Sequence, residues 1–192
     1  MIRLDSRQPM PDDLRGAILA LGNFDGFHLG HQAVVGEALD WARAEGRPCI
    51  VATFDPHPVR VFQPEAEPFR LTTLDQRQDL FEAAGAAAML VFHFTEAMAA
   101  TPAEGWVRDM LAGRIGAAGV VTGEDFTFGK GRGGNPRVLG EFGASCGVRA
   151  RAVGAVVENG EVVSSSRIRA ALKAGDCETA TRLLTRPYAI RH

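Results

Sequence analysis

Short apolar runs closed by glycine or a polar turn alternate along this chain with stretches whose apolar residues recur every three or four positions. Residues 16–24, GAILALGNF, form the first run. The following HQAVVGEALDWARAEG carries Val34, Ala38, Leu39, Trp41 and Ala42 at helical spacing, so the pair predicts strand, turn and helix. Residues 47–54 predict a second buried strand, and a polar, proline-rich passage from Asp55 to Arg70 has no period and reads as a long loop. TLDQRQDLFEAAG opens with Thr73 and Gln76 at capping-box spacing and closes on Gly85, which predicts a helix with signals at both ends. Strands are predicted at 86–94, 118–123 and 148–156, with helices at about 102–113 and 136–145 between them. The Asn159-Gly160 pair predicts a hairpin turn, and two short helices, SSSRIRAALKAG and DCETATRLL, follow it.

Strands alternating with helices at this pace imply an α/β fold, a doubly wound parallel sheet covered on both faces, with ligands gathered at the carboxyl ends of the strands. A length of 192 residues suits one domain with a small appendage, and 46% hydrophobic with 23% charged residues is a globular composition. The formal net charge of −2 supplies no basic field for nucleic acid, so small molecules are the expected partners. Cys49, Cys146 and Cys177 are widely spaced, odd in number and form no C-x-x-C, which fits idle thiols in a reducing compartment. No segment approaches the roughly 18 apolar residues of a membrane span, and the first residues lack a signal-peptide core. The expectation is therefore a cytoplasmic protein that does not engage membranes; its oligomeric state is left open.

Four stretches carry candidate chemistry. In LGNFDGFHLGHQ, residues 21–32, His28 and His31 stand three apart at the predicted helix start, where two rings share a face. The helix N-terminus favours an anion, and Gly26 and Gly30 allow close backbone approach, which together suit phosphate oxygens. A solvated cap without function, or a cation shared by His28, His31 and Asp25, are the competing readings. TFDPHP, residues 53–58, holds His57 between Pro56 and Pro58 on a rigid ledge, or is a plain strand exit. GEDFTFGKGRGG, residues 123–134, has the composition of a mobile flap and places Asp125 where such a fold meets a ribose or base edge. It lacks the G-K-[ST] ending of a P-loop. VSSSRIRAAL, residues 163–172, supplies three serines at a helix start and Arg169, whose fork matches phosphate. Of eleven phenylalanines, Phe24, Phe27, Phe54, Phe62, Phe126 and Phe128 fall in or beside the predicted strand-end loops. They indicate a flat aromatic ligand or, more plainly, the closing of the core.

Taken together and in this order, GNFDGFHLGH, TFDPHP, FRLTT, GEDFTFGKGRGG and SSSRIR resemble the FMN adenylyltransferase module of bacterial bifunctional riboflavin kinase/FMN adenylyltransferases, the FAD synthetases. The resemblance covers nearly the whole chain. H-x-G-H alone marks only a nucleotidyltransferase superfamily, while TFDPHP and DFTFG narrow it to the flavin branch. The resemblance implies a Rossmann-like fold and adenylyl transfer from ATP to the 5′-phosphate of FMN, with Mg²⁺ arriving on the triphosphate. It implies catalytic roles for His28, His31 and Arg169. Gly22, Asn23, Phe24, Asp25, Gly26, Asp125, Ser164, Ser165 and Ser166 would seat the nucleotide, and Phe54, Pro56, His57, Pro58, Phe62, Phe126 and Phe128 would border the flavin. No protein metal ligand is implied.

Two departures qualify it. Ser166 stands where the family usually has threonine, which keeps the hydroxyl. The chain also ends at TRPYAIRH, where full-length members continue into a β-barrel kinase domain. Residues 1–186 are thus expected to form the nucleotidyltransferase domain and residues 187–192 the remnant of a linker, with no riboflavin phosphorylation. A binding module without turnover, or transfer to another phosphorylated acceptor such as pantetheine phosphate, are the alternatives.

Overall fold

A computed structural model describes residues 1–66 and 70–191. The main sheet contains β1 (Ile2–Asp5), β2 (Ile18–Leu21), β3 (Cys49–Asp55), β4 (Ala88–His93), β5 (Gly119–Gly123) and β6 (Arg149–Val153). They lie in the order β1-β4-β3-β2-β5-β6, and every neighbouring pair is parallel. The helices are α1 (Leu29–Glu45), α2 (Pro58–Phe62), α3 (Leu74–Ala84), α4 (Glu96–Ala99), α5 (Ala103–Gly105), α6 (Pro136–Ala144), α7 (Ser165–Lys173) and α8 (Cys177–Leu184). The expected doubly wound α/β architecture is present. The strand order reverses between β2 and β5, so the loops leaving those two strands flank the crevice where such sheets bind ligands.

All four residues of β2 are buried, as a central parallel strand requires. Leu19 and Leu21 face a core that includes Trp106, Leu111 and Leu139, whereas Ile18 and Ala20 face one built from Val34, Val35, Ala38 and Trp41 of α1 and Phe81 of α3. A third cluster, centred on Ile168, Ala180, Leu183 and Leu184 with Leu71, holds α7 and α8 against the loop before α3. A two-stranded antiparallel ribbon, β7 (Val157–Glu158) and β8 (Glu161–Val162), turns at Asn159-Gly160 and leads into α7.

Local signals explain the helix limits. Thr73 and Gln76 form the reciprocal capping box of α3, and Gly85 ends it at φ 103°. Asn135 caps α6 ahead of Pro136, and Asp176 caps α8. Three expectations need correction. The edge strand β1 lies in the first fifteen residues, to which the apolar pattern assigns no element. The passage after Asp55 is not wholly a loop, because His57 caps and Pro58 opens the short helix α2. The helix expected at about 102–113 is α5 followed by a π-helical segment, Trp106–Ile115, ended by Gly116 at φ 68°.

Candidate active site

The loop from β2 to α1 makes two left-handed turns on bulky residues, Phe24 at φ 50° and Phe27 at φ 47°, on either side of Asp25 and Gly26 (φ 90°). Such angles cost a non-glycine residue about 1–2 kcal/mol and persist only where surrounding contacts over-determine them. Here Phe24 and Phe27 both pack edge-on against Phe81 and are buried. Their burial turns Asp25 inward. Its carboxylate accepts from Leu71 N (2.9 and 3.0 Å), Thr72 N (2.9 Å) and Thr72 Oγ1 (3.1 Å), and pairs with Arg169 Nη2 at 2.8 Å. The Asp25 backbone oxygen accepts the Ser165 hydroxyl at 2.8 Å. Asp25 therefore ties the β2–α1 loop, the segment before α3 and the start of α7 into one unit. With its oxygens so committed, Asp25 is not disposed to share a cation with the histidines, nor does it face outward as a direct nucleotide ligand would. Among the described residues no group of three or more His, Cys, Asp or Glu side chains is arranged to hold a metal ion.

His28 is itself the N-cap of α1. Its Nδ1 accepts from Gly30 N (3.1 Å) and His31 N (3.3 Å), so the first-turn N–H groups expected to face an anion are satisfied by the ring. An accepting Nδ1 carries no proton, which leaves Nε2–H as the ring's donor. The ring is only 4% exposed, so it is no solvated cap. His31 stacks on it at 3.6 Å between centroids and meets Phe24 edge-on, with its own Nδ1 buried and without a hydrogen-bond partner among the described residues. Burial pushes the His28 imidazole down to about 4, with the Asp25 carboxylate opposing and Arg169 assisting. Burial pushes His31 well below its ordinary value, helped by His28, Arg77 and Arg169. Both rings are thus neutral at pH 7.

Ser164 caps α7 through Arg167 N at 3.1 Å, Ser165 is held by Asp25, and Ser166 is exposed. The three serines therefore have three different situations. His57 caps α2 through Val59 N, and its pKa is lowered by burial and by Arg169 and Arg77 against Asp25, which puts it in the same electrostatic field. Gly22 N pairs with Ala52 O, and the Asn23 carbonyl accepts from Thr53 Oγ1 (2.7 Å) and Arg77 Nη1 (3.2 Å). Asp125 is exposed just beyond β5.

The phenylalanines need the largest correction. Phe24, Phe27, Phe54 and Phe128 are buried, so most of the set closes the core rather than facing a ligand. Phe62 meets Phe94 and Phe94 meets Phe54; Phe54 stacks on Phe92, which meets Trp106, then Phe128 and Phe126. Within this ladder Phe62 (65% exposed) and the partly buried Phe94 and Phe126 offer aromatic surface. Nor is the glycine-rich stretch an open flap. Phe128 and Gly134 exchange two backbone hydrogen bonds (3.1 and 2.8 Å), and Lys130 N donates to Thr101 O at 2.8 Å. In FRLTT, Phe69 lies outside the described residues, while Leu71 and Thr72 supply the donors to Asp25.

Arg77 was not signalled by any motif. Only 1% exposed, it donates to Asn23 O, Thr53 Oγ1 and Thr72 O, joining the two strand exits to the segment before α3. A charge between Leu74 and Phe81, on the stripe of α3 that faces inward, is the mark that could have revealed it.

A reversal point of a parallel sheet, a His-x-Gly-His helix start and a second helix start beside it define a Rossmann-like α/β domain of nucleotidyltransferase type. The chain belongs to the FAD synthetase family, whose model matches residues 10–167. It is 31% identical over 175 residues to the bifunctional riboflavin kinase/FMN adenylyltransferase of Escherichia coli (strain K12), covering 91% of this chain and 56% of that one. The protein of the same name from Bacillus subtilis (strain 168) is 36% identical over 177 residues, with coverage of 91% and 55%. A putative bifunctional riboflavin kinase/FMN adenylyltransferase of Geobacillus thermodenitrificans (strain NG80-2) is 35% identical, with coverage of 92% and 93%. The chain thus spans about half the length of the first two. A crystal structure described as a macrolide-efflux protein from Streptococcus pneumoniae superposes with TM-score 0.87 at 24% identity, covering 98% of this chain and 61% of that one, and shares the fold. Among the described residues no helix is long and apolar enough to cross a membrane.

Proposed function

We propose that this chain transfers the adenylyl group of ATP to the 5′-phosphate of FMN, giving FAD and pyrophosphate. The observation that carries the reading is the joining of the α1 and α7 starts through Asp25, which sets the neutral His28 and His31 beside Arg169. A polyphosphate needs donors from more than one side, and the side chains here supply them from two helices, His28 Nε2–H from the start of α1 and the Arg169 guanidinium from α7.

In this reading an oxygen of the FMN phosphate forms a bond to the α-phosphorus in line with the bond to the β-phosphate oxygen. That bond breaks, and its electron pair leaves with pyrophosphate. The attacking phosphate is already an anion, so no general base is required. The protein's part is positioning and charge stabilisation. His28 Nε2–H and the Arg169 guanidinium are the donors to the charge growing on the α-phosphate and leaving group, with His31 stacked behind His28. The start of α7, through Ser164, Ser165 and Ser166, closes over the phosphates. Gly22 to Phe24 and Asp125 border the adenosine, with Asp25 and Gly26 acting from beneath. Phe62 and Phe126, the ends of the ladder, with Pro56, His57 and Pro58, border the flavin, and Phe54 and Phe128 support them. Mg²⁺ is taken here as the companion of the ATP triphosphate and belongs to the substrate.

Incubation with FMN and MgATP, followed by chromatography of the flavins, tests the proposal. FAD and pyrophosphate in equal amounts are expected. Turnover of a different phosphorylated acceptor, with FMN unchanged, would place the chain elsewhere among nucleotidyltransferases. Tight flavin binding without pyrophosphate would make it a binding module.

A further inference from the structure

Residues 185–191, which follow α8, belong to the site's scaffold. The segment runs back along α3, where Gln76 Nε2 donates to Ala189 O at 2.8 Å and Arg191 pairs with Asp79 at 2.6 Å. At its start Arg186 turns inward: Nη2 donates to Gly26 O at 2.7 Å, and Nη1 donates to Leu184 O at 3.1 Å and reaches Phe27 O at 3.5 Å. Gln32, one residue beyond His31, completes the ring by donating to Phe27 O and to Thr185 Oγ1, each at 3.0 Å.

We propose that Arg186 is a positioning residue for the phosphate-binding histidines, a role that rests on the adenylyl-transfer reading for its kinetic consequence. It lies beyond residues 10–167, the part the family model matches. Gly26 and Phe27 are consecutive left-handed residues, at φ 90° and 47°, and their two carbonyl oxygens meet one guanidinium. A planar fork suits two adjacent carbonyl oxygens, whereas a lysine ammonium offers a point charge on a flexible stem. Asp25 precedes this dipeptide and His28 follows it. Release of the carbonyls lets Phe27 relax toward negative φ, which rotates the peptide leading into His28 and changes the ring's placement relative to Arg169. The linker expected at residues 187–192 thus begins one residue after a contact that sets the active-site loop.

The test compares Arg186→Ala and Arg186→Lys with the unaltered chain, well below each variant's unfolding midpoint. A displacement of about 1 Å costs on the order of a hundredfold in rate. Arg186→Ala is expected to lower kcat by about tenfold to a hundredfold, leave KM for FMN within twofold, and recover part of its activity when guanidinium is added; Arg186→Lys falls between. A lower unfolding midpoint with kcat within twofold of the unaltered chain overturns the proposal, since it leaves Arg186 a role in stability alone. If the unaltered chain makes no FAD, the adenylyl-transfer reading fails on its own account. Arg186 is then judged by amide hydrogen exchange at residues 26–31 and by the dissociation constant for MgATP. Exchange at least tenfold faster together with MgATP binding at least tenfold weaker supports positioning, and no change in either contradicts it.

Discussion

Replacing Asp25 by asparagine separates a structural hub from a nucleotide ligand. The carboxylate is 2% exposed at the side chain and receives two backbone N–H groups, one hydroxyl and the Arg169 guanidinium. Asparagine keeps one acceptor oxygen but turns an NH₂ toward at least one of those donors and removes the charge that balances Arg169. Breaking a buried pair costs about 3–5 kcal/mol when the remaining charge stays buried. Arg169 is 27% exposed and regains some water, so about 2–3 kcal/mol is the better figure. For a chain of this size each kcal/mol is worth about 2–4 °C, which places the fall in Tm at roughly 4–12 °C. Calorimetry with matched urea titrations reads both quantities. A Tm within 1 °C of the unaltered protein, accompanied by weaker MgATP binding, would refute the hub and return Asp25 to the nucleotide.

Further outcomes follow from other parts of the structure. Since His28 is held at about 4 against an ordinary 6.5, its stabilising contribution is complete above pH 6.5 and is lost as pH falls from 6.5 through 4. The amount is on the order of 3 kcal/mol; urea titrations across that window will show a slope that His28→Gln flattens, and an unchanged slope would count against the depressed value. A Cβ on Gly119 would sit 2.5 Å from the Trp41 ring, so Gly119→Ala should cost about 1–3 kcal/mol by urea denaturation; a neutral result would mean that α1 shifts freely on the sheet. Ser164→Ala should lose about 1 kcal/mol of stability with the α7 cap, while Ser166→Ala, at an exposed position, should leave Tm unchanged; equal effects would contradict their different situations.

The elements most legible in the sequence are those whose signals are local. Thr73, Gln76 and Gly85 write both ends of α3 within thirteen residues, and Asn159-Gly160 writes its own turn. The strand β1 escapes because IRLD offers only two apolar residues, and its place is decided by pairing with β4 some 86 positions away, as in Ile2 with Ala88. The histidine pair, the serine-arginine helix start and the strand-exit loops stand out as chemistry, but their connections do not. Asp25 reaches Leu71, Thr72 and Arg169, and Arg186 reaches Gly26, across separations that no window reveals. Phenylalanines near strand ends misled for a related reason: a loop position in the sequence does not distinguish a ring that closes the core from one that faces a ligand.

The proposed adenylyl transfer onto FMN depends most on His28 acting as a neutral Nε2–H donor. A single-turnover measurement with ATP labelled at the α-phosphorus tests it directly. The label is expected to pass into FAD in step with pyrophosphate, and His28→Ala should slow that passage by about 10²–10³ while the protein remains folded. Label that stays in ATP or leaves as AMP, or a His28→Ala variant that forms FAD at the unaltered rate, would contradict it.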